Sequence, residues 1–99
     1  MKDNESKRPS KKTDTVLIKT VGGFSESYTK KTLEIKMFQG AILREVLELL
    51  ESKYHFNLNG YGSSFLVLIN DIEANVLNGL ETEIMPRSEL TLIRVSHGG

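Results

Sequence analysis

From Thr15 onward the apolar and polar positions alternate, then change period, and the changes mark out the elements. Val16 and Ile18 alternate with Leu17 and Lys19 up to Val21, the period-two pattern of a strand with at least one buried face. Gly22-Gly23 supplies the positive φ angles that a hairpin turn or bulge needs. Leu33, Ile35 and Met37 alternate with Glu34 and Lys36, which predicts a second strand in clear in–out register. Between Gly40 and Phe56 the period becomes helical. Leu43, Val46, Leu47, Leu50 and Tyr54 share one face, while Arg44, Glu45, Glu48 and Glu51 fall mostly on the other.

Asn57 to Ser64 is loop chemistry, punctuated by Asn-Gly and Gly-Ser pairs. Phe65 to Ile69 is apolar at every position, the pattern of a central strand covered on both faces, one of them by something outside this chain. Asn70-Asp71 turns the chain into a short strand around Ala74 to Leu77. Asn78-Gly79 opens a connection through Leu80 and Ile84, and Pro86-Arg87-Ser88-Glu89 makes the last turn before a strand from Leu90 to Val95. The order is β-β-α-β-β-β. A helix that follows a hairpin buries its stripe by lying across the sheet, with the first and last strands as parallel neighbours in the middle. This predicts an α+β fold, the ubiquitin-like β-grasp, with a mixed sheet of four to five strands and one main helix.

Composition divides the chain. Residues 1–14 hold no large apolar residue after Met1, and their five basic and three acidic groups give a net charge of +2. Such a segment buries too little to offset the entropy of ordering it, which predicts a disordered tail over 1–14, a domain over 15–95 and a flexible Gly-Gly tail over 96–99. The whole chain carries 13 basic and 13 acidic groups, which removes net charge as a drive toward nucleic acid. Cysteine is absent, excluding disulfides, thiolate metal sites and a thiol nucleophile. His55 and His97 are too few and too isolated for an imidazole metal site. His55 reads as a helix-terminus cation or packing residue, and Glu45, Glu48 and Glu51 as a solvated helix face. Gly60 and Gly62 lack the strand-to-helix context of a phosphate loop. With no apolar run near the ~20 residues of a membrane span, and a charged N-terminus, the expected setting is the cytoplasm and the expected state a monomer.

The candidate chemistry lies in Ser96-His97-Gly98-Gly99. Two glycines directly after a strand are not a helix cap, and they anchor a strand end poorly because they raise the entropy of the free chain. They do make the thinnest thread a polypeptide offers. A terminal carboxyl, with an ordinary pKa of roughly 3.3–3.7, is ionised at neutral pH and able to attack the α-phosphate of ATP. The resulting acyl adenylate opens the Gly99 carbonyl to a sulfur donor or a lysine amine. On this reading the chain supplies the substrate and another protein supplies the catalysis.

Leu68-Ile69-Asn70-Asp71, the region around Gly79, the last strand and the ending His97-Gly98-Gly99 resemble the ubiquitin-related modifier family. That family is related to the small archaeal modifier proteins and to the sulfur carriers of molybdopterin and thiamine synthesis. The resemblance spans roughly residues 15 to 99. It departs at Pro86-Arg87-Ser88-Glu89, where relatives have an Asp/Gly-rich turn. It implies that Gly99 is adenylated by a ubiquitin-activating-like enzyme using ATP. Gly99 is then either thiocarboxylated, for sulfur donation such as tRNA thiolation, or linked to lysines of target proteins. No cofactor is bound by the chain itself.

Ser96, His97 and Gly98 are then the candidates for recognition by the activating enzyme. By analogy with ubiquitin, the partner patch falls on Leu66, Leu68, Ile93 and Val95. Ordinary core packing of those residues, with the alternates Phe65, Val67, Ile69, Leu90 and Leu92 exposed instead, stays open at this point. If the chain is itself modified, Lys2, Lys7, Lys11 and Lys12 in the tail are the candidate acceptors. Two other functions fit the same pattern: a dedicated sulfur-carrier subunit docked permanently on a catalytic partner, and a non-covalent ubiquitin-like interaction module with an inert terminus.

Overall fold

The computed structural model describes residues 13–58 and 65–95. Its strands are β1 (Thr13–Val21), β2 (Thr32–Phe38), β3 (Phe65–Ile69), β4 (Ile72–Glu73) and β5 (Glu89–Arg94), with one helix, α1 (Leu43–Tyr54). Short 3-10 turns occupy Ala74–Val76 and Gly79–Glu81. The strands form a single five-stranded sheet in the order β2-β1-β5-β3-β4. β1 and β5 run parallel, with Ile18 opposite Leu90, and the remaining pairs are antiparallel. The mixed sheet and its parallel pair, β1 and β5, follow the sequence expectation.

One face of the sheet meets α1. Val16, Ile18, Ile35, Leu90, Leu92, Phe65, Val67 and Ile69 are buried on it, against Leu43, Val46, Leu47 and Leu50 of the helix. The helical stripe is therefore the core-facing one, with Tyr54 half-buried at its end, edge-on to Tyr28 at 5.6 Å. Ile42 stands at the N-cap, where Ser, Thr or Asp would normally accept from the first turn. Glu45 compensates from the other side, its Oε1 accepting the Ile42 N–H at 2.9 Å, and the Thr82 carbonyl accepts the Leu43 N–H at 2.8 Å. At the other end His55 adopts the left-handed conformation (φ 59°), and the Phe56 N–H returns to the Leu50 carbonyl. His55 is thus an exposed helix-terminating residue.

Three expectations are corrected. β1 starts at Thr13, two residues inside the predicted tail, because Thr13 and Asp14 continue the ladder opposite Phe38 and Met37. A backbone ladder does not require apolar side chains, and the composition of this segment concealed it. Gly22-Gly23 does not close a hairpin: the link between β1 and β2 runs over residues 22–31 and buries Phe24, stacked on Phe56 at 5.8 Å and edge-on to Phe65 at 6.0 Å. The fourth strand lies at Ile72–Glu73, and Ala74–Val76 is a 3-10 turn. Asn70 and Asp71, both at positive φ, make a turn tight enough for β4 to pair at once with β3.

The Pro86 turn, where the chain departs from the resembled family, is held by β1. The Thr15 carbonyl accepts the Arg87 N–H at 2.9 Å, and the Leu17 N–H donates to the Ser88 carbonyl at 3.0 Å. Buried Ser88 closes the turn by donating its hydroxyl to the Met85 carbonyl at 2.6 Å. This turn sets where β5 enters the sheet.

Candidate functional site

Side chains alternate across a strand, so burying Phe65, Val67 and Ile69 under the helix turns Leu66 and Leu68 to the opposite face. The same parity on β5 buries Leu90 and Leu92 and turns Thr91 and Ile93 outward. Leu66 stands directly opposite Ile93, and Ile93 opposite Val21 of β1. An apolar row, Val21–Ile93–Leu66, thus crosses three strands of the face that α1 leaves open. Val21 is 55% exposed and Leu66 39%. Leu68, opposite Thr91, lies one row away and is half-buried, and Val95, half-buried, is the last described residue. The alternates Phe65, Val67, Ile69, Leu90 and Leu92 all belong to the core. Among the described residues, β3 is covered on one face only.

Val21 was legible in the sequence and missed. It shares its parity with Leu17 and Lys19, but the two glycines that follow are a turn signal and mask its place in the strand. Also on the open face, Lys19 Nζ lies 2.6 Å from Glu89 Oε2. The hydrogen bond and charge of Glu89, with a smaller contribution from Asp71, raise the Lys19 pKa above the ordinary lysine value of 10.5. The apolar row is therefore bordered by an ion pair. Arg44 and Glu81 form a second pair, joining α1 to the turn at Gly79–Glu81.

The other feature is the end of β5. Arg94 donates Nε–H to the Gly23 carbonyl at 3.2 Å and an Nη hydrogen to the Asn57 carbonyl at 2.8 Å. Its guanidinium carbon sits 4.2 Å from the Phe24 ring centroid. An open concavity of about 570 Å³ lies beside it, lined by Gly23, Phe24, Ser25, His55 and Asn57 among others. A smaller apolar cleft of about 220 Å³ lies between α1 and β3, reaching Ala74 and Leu80. The candidate recognition residues Ser96, His97 and Gly98, the reacting Gly99, and the lysines Lys2, Lys7, Lys11 and Lys12 all lie outside the described residues.

Among the described residues no group of three or more His, Asp or Glu side chains is placed to hold a metal. No helix there is long and apolar enough to cross a membrane. The site therefore comprises an apolar open face and the strand end that leads toward Gly98-Gly99.

Solved structures share this fold. The small archaeal modifier protein 1 from Methanosarcina acetivorans superposes with a TM-score of 0.69 at 24% identity, covering 89% of this chain and 99% of that one. Urm1 from Trypanosoma brucei gives 0.61 at 19% identity, over 91% and 100%. The fold is the ubiquitin-like β-grasp. A third β-grasp match is to a complex of subunits 1 and 2 of the molybdopterin-converting factor from Helicobacter pylori, with a TM-score of 0.57 at 19% identity over 86% and 99%. No family model and no curated protein matches the chain.

Proposed function

We propose that this chain is a ubiquitin-like carrier whose Gly99 carboxylate is activated by a partner enzyme. The observation that carries the reading is the junction of two features. Among the described residues a β-grasp body leaves one sheet face uncovered, and in the sequence a side-chain-free Gly98-Gly99 follows its last strand within five residues. Names among the structural neighbours support it, one being a modifier protein and another a subunit in complex with its partner.

The chemistry belongs mostly to the partner. The activating enzyme docks on the open face around Val21, Ile93, Leu66 and Leu68, reads Ser96, His97 and Gly98, and admits the glycine thread to its ATP site. A carboxylate oxygen of Gly99 attacks the α-phosphorus, expelling pyrophosphate and leaving an acyl adenylate. Hydrosulfide supplied by a sulfur donor then attacks the carbonyl carbon and expels AMP, giving a thiocarboxylate that passes sulfur to an acceptor such as a tRNA uridine. A lysine amine attacking at the same carbon expels AMP, loses a proton and leaves an isopeptide bond. The chain acts throughout as substrate and carrier, binds no cofactor of its own and works in the cytoplasm.

Intact mass after incubation with an activating enzyme of this class, ATP and sulfide tests the reading. Replacement of one oxygen by sulfur is expected for the native chain and not for a chain ending in Gly99 carboxamide. A native chain that stays unmodified beside a neighbour that the same enzyme converts would overturn it. Thiocarboxylate without lysine-linked products in cell extract would narrow it to a dedicated sulfur-carrier subunit.

A further inference from the structure

Arg94 is where the sheet ends. On one side the parallel register with β1 stops at Val21 and Ile93; on the other, Arg94 faces Phe65, the first residue of β3. Beyond it no ladder continues among the described residues, and its side chain is the one that anchors the end of β5 to neighbouring segments.

That attachment joins three separate pieces of chain. Through the Gly23 and Asn57 carbonyls and the ring of Phe24, Arg94 ties β5 to the link after β1 and to the residues after α1. Phe24 is itself locked between Phe56 and Phe65. Gly22, at φ +93°, makes room for the arrangement, since a Cβ there would lie 2.6 Å from Arg94 Cβ. A guanidinium suits the position because its plane covers a ring while its edge donates to two carbonyls. An ammonium offers a point charge and no plane.

We propose that Arg94 is a positioning residue for the activation reaction, setting the direction in which the chain leaves the sheet toward Gly99. The inference rests on the carrier function proposed above. Extended in a partner's slot, the five residues from Val95 to Gly99 reach roughly 16–18 Å. The slot holds the thread itself, so Arg94 governs only the end from which it enters, and part of the roughly hundredfold sensitivity of such a step to a ~1 Å misplacement falls on that end. Arg94 acts through the backbone and does not touch the reacting atoms.

The test compares native protein with Arg94→Met, Arg94→Lys and Gly22→Ala, the last displacing the Arg94 side chain from behind. Adenylate formation by the activating enzyme is measured below the unfolding midpoint of each variant, alongside the ¹⁵N backbone order of Val95. Each variant is expected to lower kcat roughly tenfold with KM for the carrier within about twofold, because the docking face is untouched. Val95 order is expected to fall in each. Full activity in a folded Arg94→Met variant would overturn the proposal. So would rescue by Arg94→Lys, which would make the charge, read by the enzyme, the active feature. If the native chain is not activated at all, the carrier function fails. Arg94 is then judged on Val95 order alone, and an unchanged value in Arg94→Met rejects the clamp.

Discussion

The two faces of the central sheet are built from the same residue types on alternate positions of the same strands, and they do different things. On the helix side Val67, Leu92 and Ile18 are at most 9% exposed. On the open side Leu66, Ile93 and Val21, from the same three strands, form a row that nothing in the described chain covers. Burial of apolar area is the main term favouring folding, so the first set holds the β-grasp together. The second set contributes less to that balance, and a contiguous exposed apolar row on a small domain is the usual mark of a partner surface. On the proposed function, one strand thus serves stability and recognition at once, divided only by parity.

Truncating each side in turn separates the two faces most sharply. Leu92→Ala is expected to cost about 3 kcal/mol of unfolding free energy, because it empties a fully buried position between β1 and β3. Guanidinium unfolding measures it, and a loss below about 1 kcal/mol would mean that the two faces are not energetically distinct. Leu66→Ala, the mirror experiment, is expected to cost under about 1 kcal/mol at a 39% exposed position. It is also expected to weaken binding to the activating enzyme roughly fivefold or more in a titration, and unchanged affinity would remove the open face as the docking site.

The smallest effect is electrostatic. Lys19 has its pKa raised in the folded state by Glu89, so the stability it contributes is complete below the unfolded lysine value of 10.5 and is lost as pH rises through the folded value. Unfolding midpoints are therefore expected to decline slightly more steeply at alkaline pH in the native chain than in Lys19→Met. The difference is small because both partners of the pair are well exposed. Identical alkaline slopes would mean that the ion pair is not formed in solution.

The helix stripe at Leu43, Val46, Leu47 and Leu50, the alternation in β1 and β2, and the turn at Asn70-Asp71 were legible because each is a local pattern with a local cause. The role of Phe24 was not. A single aromatic residue after two glycines carries no period, and its place between Phe56 and Phe65 exists only once distant segments meet. β4 was displaced for a similar reason: two ladder residues are too few to leave a pattern, and the apolar run that follows them is a 3-10 turn. Of the candidate site, analogy with ubiquitin pointed to Leu66, Leu68, Ile93 and Val95, while the residue pattern left open which parity faced out.

By itself, then, the sequence determined the element order, the helix's buried face, the absence of thiol chemistry and the glycine pair that makes Gly99 a candidate reacting end. These depend on residue type and spacing within a dozen positions. Only the tertiary structure decided that Val21 joins Ile93 and Leu66 in one row, and that Arg94 gathers Gly23, Phe24 and Asn57 at the last rung of the sheet. Those are contacts between segments far apart in the chain. Strand order and register bring them together, and neither is encoded in any one segment.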